Sequence, residues 1–372
     1  MKVLVAGDYC PQYRVAELFE KGEFETVLGE VKELINDSDY SIVNFECPVT
    51  NGNEKAIDKI GPNLCCSHKG VEALKWAGFD CVTLANNHFY DYGDTGVKNT
   101  IEACVKYAIN HVGGGEDYKT ASSTLHKKIN DKTLAVINCC EHEFSIATDK
   151  SGGSNPLNPI QQFYAIQEAK KQSDVVIVIV HGGHEHFQLP SPRMQETYRF
   201  FIDAGADAVV NHHQHCFSGY EFYHDKPIIY GLGNFCFDEK GSNGGIWNEG
   251  YIVAIDFSDS VKIEIFPYNQ CDNKPTVALL PKDVYDMRLK EINTIIKDKE
   301  QLSKHLKDYY DSCHKQMSYI FEPIRNRLYN SLRYRGILPS LVSNKRKLMA
   351  FNYINCESHR DKLLSFLEDF YE

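Results

Sequence analysis

The chain has 372 residues, of which 42% are apolar and 24% charged, with a formal net charge of −11. That length suits one large catalytic domain plus an appendage. The acidic balance argues against nucleic-acid binding, and no apolar run of about 18 residues offers a membrane-spanning helix. Thirteen cysteines, with two adjacent pairs and no C-x-x-C spacing, read as reduced thiols in a cytoplasmic setting.

Val3–Ala6 reads as a buried strand that stops at Gly7-Asp8, too short for the apolar core of a secretion leader. Residues 15–36 carry apolar groups at helical spacing. Tyr40–Phe45 is the next strand and ends at Glu46. Residues 51–67 read as a loop, and Lys69–Ala77 as a helix stopped by Gly78. Phe79–Ala85 is a strand running into Asn86-Asn87-His88, followed by a helix over 93–108 and a turn at Gly113-Gly114-Gly115. Two strands cover 123–140 around an Asn130-Asp131-Lys132 turn. Helix 160–172 precedes a strand at 175–180, and helix 192–204 precedes a strand at 207–210. Ile228–Tyr230 is a strand ending in a glycine turn at 231–235, and 250–267 is a hairpin. Beyond about 283 glycine nearly disappears and helical periodicity takes over. The expected division is therefore a domain over 1–280 and a helical appendage over 284–372.

Six of the fifteen histidines lie between His181 and His215, in two bursts that each follow an apolar run. A run apolar on both faces is a doubly covered strand, whose carboxyl end presents ligands in an α/β sheet. The strand-tip groups are Asp8, Glu46, Asn87, His88, His181, His213 and His215. Mixed oxygen and nitrogen donors of this kind suit two divalent cations of the Mn, Fe, Zn or Co class. Glu46 can bridge through its two oxygens. His213 and His215, two apart, point the same way if the segment is extended, one toward each metal. His88 then stands beside the metals, where a general acid belongs.

In chain order, G-D, N-F-E, L-A-N-N-H-F-Y-D-Y-G, H-G-G-H-E, D-A-G-A-D-A-V-V-N-H-H-Q-H and I-I-Y-G-L-G-N-F-C-F-D follow one another over residues 1–257. The series resembles the capsule-synthesis CapA family (poly-γ-glutamate synthesis, PgsA-like), a branch of the calcineurin-like metallophosphoesterase superfamily. The resemblance implies a four-layer α/β/β/α metallophosphatase-like sandwich with a two-metal centre. Asp8, Glu46 and His215 would hold one metal; Glu46, Asn87, His181 and His213 would hold the other. His88 would be catalytic. Cys10, Asp91, Glu185, His212 and Asn234 would be further ligands or supports of the ligands.

The chain departs from the superfamily at two places. Cys10 stands where a histidine is usual, so a thiolate would replace that ligand or the site would be weaker. Glu46 stands where aspartate is usual. The function implied is capsule, poly-γ-glutamate or surface-polysaccharide biosynthesis. The chemistry implied is phosphoester hydrolysis by metal-activated hydroxide, with an amide bond as a second substrate. The alternative is a non-catalytic scaffold or polymer-binding subunit that keeps the fold. The substrate expected is an anionic polymer or phosphoester. From Arg325 to Lys347 seven residues are basic and none acidic. Such runs are commonly solvated faces, though the interleaved Leu, Tyr and Ile also suit docking to capsule-synthesis membrane proteins or an anionic membrane surface. The expected location is the cytoplasm, at most peripheral to the membrane.

Overall fold

Long apolar runs in this chain form strands covered on both faces, and two sheets result. The computed structural model describes residues 1–239, 241, 244–318, 326–355, 359, 363 and 367, the side chains of 314–318 and 355 excepted. It separates into two units, Met1–Leu302 and Ser303–Glu372.

In the first unit an eight-stranded sheet runs in the order Val277–Leu279, Lys262–Gln270, Glu249–Asp256, Lys2–Cys10, Tyr40–Phe45, Cys81–Thr83, Asn110–Val112. The eighth strand, Asn234–Phe237, pairs in parallel with the end of Lys2–Cys10. From Lys2–Cys10 through Asn110–Val112 neighbouring strands are parallel. A six-stranded sheet runs Tyr220–Tyr223, Lys226–Ile229, Ala208–His212, Val175–His181, Lys132–Cys140, Leu125–Ile129. Its four inner strands are parallel and its edges are closed by hairpins.

The sheets face each other. The Ala85 N–H donates to Asn138 Oδ1 across the gap at 2.7 Å, and Lys132 Nζ reaches the Phe257 carbonyl at 2.9 Å. Helices Tyr13–Glu20, Phe24–Asn36 and Lys69–Ala77 share one core with the eight-stranded sheet. Pro159–Gln172 and Pro192–Asp203 cover the six-stranded one. The fold is thus α/β with the layer order helix, sheet, sheet, helix. Helix Phe24–Asn36 turns Phe24, Val27, Leu28, Val31 and Ile35 inward. Each such side chain stabilises by roughly 1.5–3 kcal/mol on burial, so a charge at Val31 would unseat the helix.

Several elements differ from the sequence expectation. The first strand does not stop at Gly7 but continues to Cys10, because Asn234–Phe237 arrives to pair with its end. That approach requires a glycine: a Cβ on Gly7 would lie 1.9 Å from the Gly233 carbonyl oxygen. Tyr220–Tyr223 and Lys226–Ile229 form an unforeseen hairpin whose turn residues, His224 and Asp225, take φ of 49° and 59°. This is the left-handed pair that a two-residue turn needs. The first unit runs to Leu302. Val277–Leu279 joins the sheet, and helix Asp286–Lys297 buries Leu289, Ile292 and Ile296.

The second unit includes the helices Arg327–Tyr334 and Asn344–Asn355. Of the basic stretch, Arg325 lies outside the described residues, as do parts of the expected appendage at 319–325 and beyond 355. Among the described residues no helix is long and apolar enough to cross a membrane.

Candidate metal centre

Carboxyl ends of parallel strands from both sheets meet at one place. Asp8 sits near the end of Lys2–Cys10, and Glu46 directly follows Tyr40–Phe45. Asn87 and His88 lie in the loop after Cys81–Thr83. His181 ends its strand, His212 ends Ala208–His212, and His213 and His215 occupy the turn beyond. All are buried.

Among the described residues three sets of ligand atoms lie mutually within 4.8 Å: Asp8, Glu46 and His215; Glu46, His181 and His213; and Glu185, His213 and His215. The first two sets share Glu46. Its Oε1 is 3.5 Å from His181 Nε2 and 3.6 Å from His215 Nε2. Neither Glu46 oxygen has a hydrogen-bond partner among the described residues, although the residue is fully buried. Burial, and then the charge of Asp8, push this carboxyl well above its ordinary range. A buried acceptor left unsatisfied costs about 1–3 kcal/mol, and a cation between the imidazoles is the partner that would remove that cost. Asn87 stands with the second set, its Oδ1 3.0 Å from His181 Nε2.

Asp8 behaves oppositely. Burial would raise its carboxyl, but His212, with His181 and His215, holds it well below the usual range. Its Oδ1 accepts from Asn44 Nδ2 at 2.7 Å and its Oδ2 from the His213 N–H at 3.2 Å. His212 Nδ1 is 3.2 Å from Asp8 Oδ1, the approach that does most to hold that carboxyl down. Burial drives His181 well below the ordinary histidine value and His215 down to about 4. Neutral imidazoles are the form that coordinates a metal.

The turn holding His213 and His215 corrects the extended geometry expected from sequence. The two take φ of 91° and 51°. Non-glycine residues there cost of order 1–3 kcal/mol each. This turn sets their rings 6.0 Å apart and brings His213 to 4.7 Å from His181. Asn234 fixes His215, accepting from Nδ1 at 2.9 Å, which leaves Nε2 directed at Glu46.

Cys10, considered from sequence as a thiolate ligand, is buried in the core shared with the helices. A register shift between Asp8 and Tyr9 breaks the alternation of the strand. Tyr9 and Cys10 therefore both pack in the helix-side core. Burial raises the Cys10 thiol, and Cys10 belongs to none of the three donor sets. Glu185 is exposed but joins the third set, at the mouth of the site.

His88 is held from behind. Its Nδ1 is 2.7 Å from Asp91 Oδ2, and the buried Lys59 pairs with Asp91 Oδ1 while lying 3.1 Å from the same His88 nitrogen. The Leu64 N–H donates to Asp91 Oδ2 at 2.7 Å.

Sequence reasoning missed four contributors. Asn44 links Asp8 to His181, at 3.2 Å from Nδ1. Asn86 ties the His88 loop to the Phe45 carbonyl. Glu143 lies 3.9 Å from His213 Nε2. Lys59 belongs to a stretch read only as a loop. Asn44 and Asn86 had a usable signal, as members of the N-F-E and L-A-N-N-H motifs.

Residues 2–239 match the model of the bacterial capsule synthesis protein PGA_cap. The chain is 34% identical over 247 residues to the "Capsule biosynthesis protein CapA" of Bacillus anthracis, covering 64% of this chain and 60% of that one. It is 33% identical over 237 residues to the "PGA biosynthesis protein CapA" of Bacillus subtilis, covering 63% and 62%. The match thus spans about 60% of the length of these curated relatives. Among solved structures it is similar to a novel phosphatase of Mycoplasma pneumoniae, with 17% identity, coverage of 73% and 95%, and a TM-score of 0.46. It is also similar to a putative 5'-nucleotidase of Staphylococcus aureus, with 16% identity, coverage of 79% and 58%, and a TM-score of 0.45. With the match spanning the strand tips from Asp8 to Asn234, the chain belongs to the bacterial capsule synthesis protein PGA_cap family.

Proposed function

We propose that the protein is a metal-dependent hydrolase of the phosphoester type that serves production of a capsule or another anionic surface polymer. The observation that carries this is Glu46, a buried carboxylate with no hydrogen-bond partner, shared by two donor sets. Asp8, Glu46 and His215 would hold one divalent cation; Glu46, His181, His213 and Asn87 the other. Such a pair would polarise a phosphoryl oxygen and activate water. Mixed carboxylate and imidazole donors suit Mn, Fe, Zn or Co.

The protein's own groups perform the rest. With His88 Nδ1 held by Asp91, a proton delivered to the leaving oxygen departs from Nε2. Lys59 balances the Asp91 charge and fixes the pair. Asn234 and Asn44 orient His215 and Asp8. Glu185 stands at the entrance, suited to a ligand arriving or leaving. The reduced, buried thiols suit a cytoplasmic location. The basic stretch ending at Lys347 is the candidate contact for capsule-synthesis membrane proteins.

The names of the relatives support a polymer as the natural substrate. Turnover of p-nitrophenyl phosphate and bis-p-nitrophenyl phosphate with added Mn tests the reading. Activity abolished by His88→Asn supports it. Protein that binds no metal and turns over neither ester would favour a scaffold instead.

A further inference from the structure

The two sheets end side by side at one flank of the sandwich. Asn110–Val112 is the last strand of the eight-stranded sheet, and Leu125–Ile129 the last of the six-stranded one. Between them lies a cavity of about 380 Å³, lined by Ile101, His111, Val112, Glu116, Thr124 and Leu125 among others. Its volume falls within the range of small-molecule sites, roughly 300–1,000 Å³. None of the residues lining it is a donor of the metal centre.

One wall is the backbone of Gly114 and Gly115, which pairs with Gly153–Ser154. That wall is packed from behind. A Cβ on Gly114 would lie 2.5 Å from the Phe89 ring, and one on Gly115 would meet the backbone nitrogen of Ala121. The next turn, Tyr118–Ala121, is capped by Asp117, whose Oδ1 accepts from the Thr120 N–H at 2.7 Å. The cavity is therefore shaped before any ligand arrives.

Its chemistry is one-sided. Ile101, Val112 and Leu125 supply apolar surface. The side chains of His111, Glu116 and Thr124 make no hydrogen bond or ion pair with another described residue. Burial holds His111 below its ordinary value, so the ring is neutral at pH 7 and one of its nitrogens is an acceptor. No lysine or arginine lines the cavity. A carboxylate, a neutral imidazole and a hydroxyl with no cation among them offer nothing to a phosphate or a carboxylate. They suit a positively charged donor, which the net charge of −11 also attracts.

We infer that this cavity is a ligand site separate from the metal centre, and that it takes a small organic cation, a primary ammonium on an aliphatic chain. The ammonium would meet Glu116 and His111, and the chain would lie along Ile101, Val112 and Leu125. A single carboxylate matches a single charge, so the ligand class is a monoamine rather than a polyamine. The inference stands apart from the proposed hydrolysis, because binding is read without turnover.

The test is calorimetric titration of the EDTA-treated full-length protein at pH 7 with hexylammonium, hexanol and hexanoate. The wild type is expected to bind hexylammonium at least about tenfold more tightly than hexanol, and hexanoate more weakly than either. Glu116→Gln, at an exposed position, should bring hexylammonium to the level of hexanol. Leu125→Trp, which fills the cavity from the opposite strand, should weaken both and covers the case in which Glu116→Gln misfolds. Equal wild-type affinity for hexylammonium and hexanol overturns the inference. So does unchanged hexylammonium binding in a folded Glu116→Gln or Leu125→Trp protein, which would place the amine elsewhere, at the acidic donors of the metal centre.

Discussion

Replacing Glu46 by glutamine separates the cost of this buried group from its use. In the metal-free protein the carboxylate has no hydrogen-bond partner and is flanked by Asp8, so its ionised form is disfavoured. Its folded pKa lies above the unfolded one. Its contribution to stability is therefore complete below about pH 4.5 and is lost as pH rises through the folded value. At pH 7 a neutral amide of the same shape removes that burden. Glu46→Gln without metal is expected to be as stable as the wild type or more so, by about 1–3 kcal/mol. Metal should reverse the order. A ligand present at 100 times its dissociation constant adds about 2.7 kcal/mol per site, so two Mn ions should add roughly 5 kcal/mol to the wild type and far less to the variant. Urea denaturation of EDTA-treated and Mn-loaded protein gives all four values. A variant that is several kcal/mol weaker without metal, yet gains as much from Mn as the wild type, would refute the reasoning.

Three further outcomes are expected. Lys59→Met leaves Asp91 buried without its cation, which should cost about 3–5 kcal/mol in urea denaturation and lower ester turnover while the metal content, read by plasma mass spectrometry, stays unchanged. His215 has a folded pKa of about 4 against an ordinary 6.5, so its contribution is complete above 6.5 and is lost as pH falls toward 4; between pH 7 and 5 the metal-free wild type should lose about 2 kcal/mol more than His215→Gln. Burial pushes the Cys104 and Cys216 thiols up to about 12, so Ellman's reagent at pH 8 should leave both unmodified in native protein and, among the described cysteines, react first at the half-buried Cys65 and Cys313; rapid modification of Cys104 or Cys216 contradicts their placement.

The strand tips were legible because doubly covered strands announce themselves as unbroken apolar runs, and Val175–Val180 and Ala208–Val210 could be read directly. Asp8, Glu46, Asn87 and the histidines then followed from their place after such runs. What sequence could not supply was long-range. Asn234–Phe237 extends the first strand past Gly7, and the register shift it brings turns Cys10 away from Asp8. The left-handed turn at His213 and His215 has no local glycine to betray it. Lys59 lies 29 residues before His88 in a segment without periodicity, so no pattern ties it to the site. The helix at Asp286–Lys297 was legible as helical, but its apolar face gives no sign of which partner it covers.

Anomalous diffraction from crystals equilibrated with Mn addresses the centre most directly. The expected result is two peaks, one bounded by Asp8, Glu46 and His215 and the other by Glu46, His181, His213 and Asn87, with Glu46 between them. No peak at these donors, or a single ion held by Glu185 at the rim with Glu46 left bare, would contradict the account.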